Sequence, residues 1–590
     1  MKRRILAGLA TVLLTAAALA VVLRLWKADL AVPFQYQGDA LESGLLVKGV
    51  VDNGWRRTNA FVGMPYGLDE RDLRLSDDFH LFTIKLIALF ISDWARILNI
   101  FFLTTFPLTA LSALFVFRSF KLSYAPSIAG SLLYAFLPYH FFWAESQAFL
   151  AAYYAVPLAV MVALWLCSGA ISLTNSRGDY KALFSDNKFI AGIAISLLLA
   201  SSGLYYAFFA CFFLAVAGVK GSLAQRDRGP LLSSLFLVLT IVVAGLFPSL
   251  RYQRVNGING MNPFFAASAP DRSEAEGLKI AQMLLPVDDH RIPALAAAKA
   301  EYDLTAPLVN ENRSASLGLA GGLGFVLLIA AAVFRKKNTL GSELLEHLSV
   351  LNLAGVLYAT IGGFGSVIAY TLFSDLPSLN RISVFLAFFS LFAVVIALDK
   401  LLKRFGTGRL STAACRGLIA VVAVLGICDQ TTSVEAAAPS ESAKTAYLGD
   451  ARFVAAIEAA MPERAMIFQL PNMPFPSTLP AGRMERFEPA IGYLHSKTLR
   501  WSYRMMRGRE RVDWDRRTAS KPLKEFLETI AAENFKGVYI DRRGYPDNAA
   551  ALESKLSALL GIRPITSADQ RRSFFDLSGY KPGSGAATRE

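Results

Sequence analysis

The chain has 590 residues, of which 54% are hydrophobic, 12% aromatic and 18% charged. A soluble protein carries about 25% charged residues, so a freely soluble globule is excluded. The basic residues behind the net charge of +14 gather between apolar blocks rather than on an aromatic-interleaved platform, which argues for no nucleic acid as a partner.

The apolar blocks run close to the length of about 20 residues that crosses ~30 Å of hydrocarbon. Alternating polar and apolar ~10-mers, the mark of a membrane barrel, are absent. The fold class expected is therefore a polytopic α-helical membrane protein, about 11 transmembrane helices with a C-terminal extracytoplasmic α/β domain. Residues 1–430 are expected to form the membrane domain, with large outer loops at 24–96 and 251–315, and residues 431–590 the outer domain.

In chain order, a basic start (Met1–Arg4) precedes the apolar run Ile5–Leu23. That run exceeds the usual signal-peptide core of about 7–15 residues, so it reads as an uncleaved first span with a cytoplasmic N-terminus. Further spans are expected at 97–117, 126–143, 149–171, 189–202, 204–219, 231–250, 316–334, 347–370, 382–398 and 412–430. The pair 189–202 and 204–219 is short for two full crossings or is partly re-entrant. Gly203, followed by Tyr205 and Tyr206, marks a tight turn near an interface.

With the N-terminus inside, every short inside loop is basic: Arg118 and Lys121; Arg177, Lys181 and Lys188; Lys220, Arg226 and Arg228; Arg335, Lys336 and Lys337; and Lys400 to Arg409. This is the positive-inside pattern. Three long polar regions then fall outside, which suits the envelope face of a bacterial-type inner (plasma) membrane. Cys167, Cys211, Cys415 and Cys428 lie in or beside apolar segments, so no disulfide framework is implied.

The first polar region, FQYQGDALESGLLVKGVVDNGW through SDDFH, holds Asp39 with Glu42, the pair Asp77–Asp78, and His80. Carboxylates beside a membrane are costly unless solvated, paired or used. His140 stands near the end of span three, and Glu145 in the short outer loop that follows it. After span seven, Ser273–Leu285 has helical apolar spacing and reads as a surface-lying amphipathic helix. Pro286 ends it, and Asp288, Asp289, His290 and Arg291 follow. The tail alternates helix-like stretches (450–461, 523–532, 549–560) with strand-like ones (465–470, 537–540, 573–577). Residues 480–518 are rich in Arg and aromatics, and 581–590 read as disordered.

These residues support a definite chemistry. Asp39, in Gly38-Asp39-Ala40, can act as general base on an acceptor hydroxyl. Asp77 and Asp78 join it as candidate catalytic acids, and with His80 could hold a divalent cation such as Mg or Mn. A phosphate leaving group needs cationic partners, for which Arg291 and Arg381 are candidates. His80, His140, Glu145 and His290 are candidate substrate-binding residues.

An inside N-terminus, an Asp soon after the first span, many short-looped spans and an outer α/β domain together resemble the integral-membrane glycosyltransferases of the GT-C type. The resemblance covers mainly the architecture of residues 1–430. It implies transfer of a sugar from a polyprenyl-phosphate-linked donor to an envelope glycan, lipid or protein acceptor, with Asp39 in the role of catalytic base. No WWDYG-like motif occurs in the tail, which disfavours transfer to Asn. The alternatives are a lipid-linked sugar flippase, which calls for charges at mid-membrane, and a non-catalytic envelope assembly protein.

Overall fold

The computed structural model describes residues 2–55, 58–69, 77–173, 186–255, 262, 269–334, 343–372, 374, 376–431, 441–475, 481–506 and 514–581. Five of the basic loop residues above (Arg177, Lys181, Arg335, Lys336 and Lys337) lie outside them, as do residues 582–590.

Helix α1 (Lys2–Val22) leads into α2 (Asp39–Asn53) and α3 (Asp78–Ala88), both within the first polar region. Next come α4 (Trp94–Ser119), α5 (Tyr124–Ala135), α6 (Pro138–Trp143), α7 (Ala148–Ala151) and α8 (Val156–Cys167). Helices α9 (Asn187–Ala200) and α10 (Leu204–Gln225) meet at Gly203, and α11 (Gly229–Val255) follows. Three short helices, α12 (Arg272–Ala275), α13 (Ile280–Leu284) and α14 (Pro293–Thr305), precede α15 (Gly318–Val333). The helical part closes with α16 (Glu343–Ala359), α17 (Phe364–Thr371), α18 (Ser383–Phe405) and α19 (Arg409–Gln430).

Among the described residues, 6 helical segments are long and apolar enough to cross a membrane: Lys2–Val22, Trp94–Ser119, Leu204–Gln225, Gly229–Leu246, Leu379–Phe405 and Arg409–Gln430. Three expected spans are broken instead. The stretch 126–143 stops at Ala135 and restarts at Pro138, the first residue of α6, where proline suits a helix start but not an interior. The stretch 149–171 is interrupted between Ala151 and Val156. The stretch 347–370 breaks at Gly362, whose φ of 71° a helix cannot hold. Helix α9, with 14 residues, reaches about 21 Å at 1.5 Å per residue, short of a full crossing. The expected surface helix 273–285 is likewise two short helices, because Leu278 turns aside to bridge Thr360.

The bundle core is aromatic. Phe117 of α4 stacks on Phe388 of α18 with ring centres 5.2 Å apart. Helices α15 and α18 cross so closely at Gly324 that any Cβ there would run into the Ser390 carbonyl, the close approach that small residues permit between membrane helices.

The tail carries α20 (Glu441–Ala460), α21 (Ala490–His495), α22 (Trp514–Ala519), α23 (Leu523–Ala532) and α24 (Ala550–Leu560). Two short strands of the first polar region, β1 (Thr58–Asn59) and β2 (Leu68–Asp69), pair with each other. The tail strands are β3 (Met466–Leu470), β4 (Arg500–Trp501), β5 (Phe535–Asp541), β6 (Ile565–Thr566) and β7 (Arg572–Asp576). They form one sheet in the order β4-β3-β5-β7-β6, with β4, β3 and β5 parallel and β7 and β6 antiparallel.

The tail is bonded to the first polar region at many points. The Trp501 amide donates to the Phe61 carbonyl (2.7 Å), the Met64 amide to the Trp501 carbonyl (3.1 Å) and the Gly63 amide to the Tyr503 carbonyl (2.8 Å), so residues 61–64 are tied by backbone bonds to β4 and the residues after it. The Tyr493 hydroxyl donates to Asp52 of α2 (2.8 Å), which also pairs with Lys48 (2.8 Å). The Trp94 indole donates to the Leu494 carbonyl (2.8 Å). Helix α2 thus lies between the bundle and the tail.

Candidate functional site

A cavity of about 270 Å³ opens where α2, α3, the turn before α7 and the Gly203 turn converge. Its polar lining includes Asp39, Glu42, Asp77, Gln147, Tyr205 and Arg381. These groups come from five separate stretches of chain.

Asp39 is the first residue of α2, and Glu42 lies one turn on along the same face. Both acids also suit the positive end of the helix. The turn into α2 needs Gly38, which sits at φ 52° and donates its amide to Glu485 of the tail (3.1 Å). Gln147 Nε2 donates to Asp39 Oδ2 at 2.8 Å and orients that carboxylate. Asp77 is the cap residue of α3, and its Oδ1 lies beside Gly203, where a Cβ would stand 4.0 Å away.

Arg381 precedes α18. Its guanidinium forms a two-point pair with Glu311, at 3.1 and 3.0 Å. It also lies over the rings of Tyr205 (4.4 Å) and Trp143 (5.0 Å). Its planar fork is therefore already matched to a carboxylate.

The remaining sequence candidates lie elsewhere. Asp78 occupies the first turn of α3 and does not line the cavity. His80 is fully buried, shares a hydrogen bond with the Tyr154 hydroxyl (2.7 Å) and stacks on Phe149. Burial pushes it down to about 4, so it is neutral at pH 7. The expected Asp77–Asp78–His80 cation set is thus not assembled. Among the described residues, no group of three or more His, Cys, Asp or Glu could hold a metal ion. His140 packs face to face on Phe106 (3.6 Å) and bonds Thr105 (2.7 Å), which makes it a core residue. His290 pairs with Asp429 at the end of α19 (3.3 Å), and Arg291 donates to the Cys428 and Thr431 carbonyls. Asp288 and Asp289 border a separate cavity of about 180 Å³ there. The 251–315 region thus sends its Asp-Asp-His-Arg cluster to α19.

Glu145 lies just behind the cavity wall. Its Oε2 accepts the Gln35 amide (3.0 Å), and the neighbouring Ser146 amide donates to Gln35 Oε1 (2.8 Å). Burial pushes its carboxyl up to about 8 from 4.5, against the pull of the Gln35 and Phe34 amides. Between these values the folded chain holds a proton that the unfolded chain has released, so stability falls as pH rises from about 5 to 8. Glu145→Gln removes that dependence. Thermal unfolding should give matching midpoints for variant and wild type near pH 5, and a higher midpoint for the variant at pH 8.

Sequence reasoning placed Asp39, Asp77 and Arg381 as candidates but missed Gln147, Glu311 and, as a site residue, Glu42. Glu42 carried a signal, its spacing of three from Asp39. Gln147 and Glu311 carried none, because only the folded chain brings them to their partners.

No protein-family model and no curated protein sequence matches this chain. Solved structures do. ArnT from Cupriavidus metallidurans, determined bound to undecaprenyl phosphate, aligns over 95% of this chain and 97% of its own, with TM-score 0.51 and 13% identity. The Archaeoglobus fulgidus oligosaccharyltransferase in its apo form aligns over 91% of this chain and 69% of its own, with TM-score 0.44 and 13% identity. Arabinofuranosyltransferase AftD from Mycobacteria aligns over 92% of this chain but only 36% of its own length, with TM-score 0.45 and 11% identity. These neighbours are GT-C glycosyltransferases. The chain has the GT-C fold and is a multi-pass membrane protein.

Proposed function

We propose that this protein moves a sugar from a polyprenyl-phosphate-linked donor to an envelope glycan, lipid or protein acceptor. The reaction takes place at the outer face of a bacterial-type inner membrane. The N-terminus is cytoplasmic and residues 431–590 are extracytoplasmic, which requires an odd number of crossings. The observation that carries this reading is the meeting of Asp39, Glu42, Asp77 and Arg381 in one cavity of a GT-C fold. The undecaprenyl phosphate bound to ArnT supports a polyprenyl carrier.

Asp39 takes the proton of an acceptor hydroxyl as that oxygen attacks the anomeric carbon. The bond from that carbon to the phosphate oxygen breaks, and polyprenyl phosphate leaves with inversion. Arg381, in the cavity lining and paired with Glu311, is the cation this reading assigns to the departing phosphate charge.

Mass spectrometry of envelope glycans and glycolipids, with and without the gene, tests the reading. Loss of the gene should yield a species short of one sugar residue, with the donor lipid accumulating. Identical profiles would sink it.

A further inference from the structure

Glu42 shares the cavity with Asp39, but it is held from outside the bundle. Arg504, from the tail, brings its Nη2 to 3.3 Å from Glu42 Oε1. The Arg504 side chain is 0% exposed, and its guanidinium lies 4.4 Å from the Phe475 ring centre. A fully buried arginine is rare unless its charge is used. Its backbone is also costly. Arg504 has φ 77°, in the left-handed region where a residue with a Cβ is strained. That conformation follows directly on residues 501–503, which are bonded to residues 61–64 of the first polar region.

We propose that Arg504 is a positioning residue. The tail reaches across to fix Glu42, and through it the first turn of α2 that carries Asp39, so the cavity is complete only with the tail docked. Lys48 and Asp52, further along α2, are held against Tyr493 in the same way. The whole length of α2 is therefore referenced to the tail rather than to the membrane helices alone. The reaction-rate part of this inference rests on Asp39 being the base; the structural part does not.

The test uses the full chain in nanodiscs, with Arg504→Gln, Arg504→Lys, Glu42→Gln and the double variant. The first readout is hydrogen exchange in peptides covering 38–53, compared with the sheet strands 466–470 and 535–541. Arg504→Gln should speed exchange at the start of α2 by roughly tenfold while the strands keep their protection, and Arg504→Lys should restore part of it. Glu42→Gln leaves the tail chain untouched and should loosen the same turn. The double variant should show less than the sum of the two single effects. Wild-type exchange at α2 in both single variants, or strictly additive effects, would overturn the proposal.

The second readout is transfer rate, where Arg504→Gln should lower kcat about 100-fold, the effect of a misplaced reacting group. An Asp39→Asn protein that transfers normally would sink the functional reading, while the exchange data would still decide the role of Arg504.

Discussion

Asp39→Asn is expected to lower sugar transfer by about 10²–10⁴-fold, the usual worth of a positioned general base, with no loss of folded protein in the membrane. Asparagine has nearly the same shape, and its side-chain oxygen can still accept the Gln147 hydrogen bond that orients Asp39. What it cannot do is take a proton. The structural cost is small, because a negative charge in the first turn of a helix contributes only about 0.3–1 kcal/mol and α2 is otherwise held through Asp52 by Tyr493. The measurement is product formation in membranes carrying equal amounts of each protein, with the thermal midpoint as control. Asp78→Asn is the useful contrast, since Asp78 sits on α3 outside the cavity lining and should leave the rate within about twofold. Equal rates for Asp39→Asn and wild type would remove Asp39 as the base.

Much of the architecture could be read from periodicity. In the tail, the strands at 466–470, 535–541 and 572–576 and the helices at 523–532 and 550–560 lie where alternating apolar runs placed them. The strands carry short apolar stretches and the helices repeat apolar residues at helical spacing, both of which a local pattern can report. Strand β4, only Arg500–Trp501, is too short to show a period, and it exists because the edge of β3 is there to pair with it. The broken spans were hidden for a different reason. Hydropathy measures what lipid and core tolerate, and it is blind to a helix that stops at Ala135 and restarts at Pro138 while staying apolar throughout.

The cavity shows the same division. Asp39 and Asp77 stand out as acids in a chain with few, whereas the structure binds Arg381 to Glu311 across 70 residues of sequence and Glu42 to Arg504 across 462. The histidines misled for a related reason. His80 and His140 are apolar-core residues with a satisfied ring nitrogen, and nothing local to their sequence distinguishes that role from binding.

Arg572→Met is expected to destabilise the tail by about 3–5 kcal/mol, the cost of removing one partner from a buried ion pair and a large share of a domain's total stability of about 5–15 kcal/mol. Arg572, on β7, is 2% exposed, pairs with Asp450 of α20 and lies 3.5 Å from Asp541 at the end of β5. Those carboxylates are 4% and 2% exposed. The Tyr36 hydroxyl donates to Asp450 at 3.0 Å and bonds His495 Nε2 at 2.8 Å. Burial is the main cause that pushes His495 down to about 3, with smaller contributions from the Arg572 and Lys48 charges. In the variant, burial and Lys48 still act against its protonation, so it is a poor replacement cation for Asp450. Burial also raises the Asp450 carboxyl, and the Arg572 charge opposes that rise. Without Arg572 the folded state therefore favours a protonated Asp450 still more. The variant's deficit should be largest near pH 7.5 and should shrink as pH falls toward the carboxylate range, because the native state then takes up a proton the unfolded chain does not. Methionine fills similar space, so packing loss contributes little, and Arg572→Lys, which keeps the charge, should lose much less. Because Tyr36 stands three residues before Asp39, the loosened network should also slow transfer. Thermal unfolding of the full chain at pH 5 and pH 7.5 decides the point. A deficit of the same size at both would assign the loss to packing and leave the buried charge without a role.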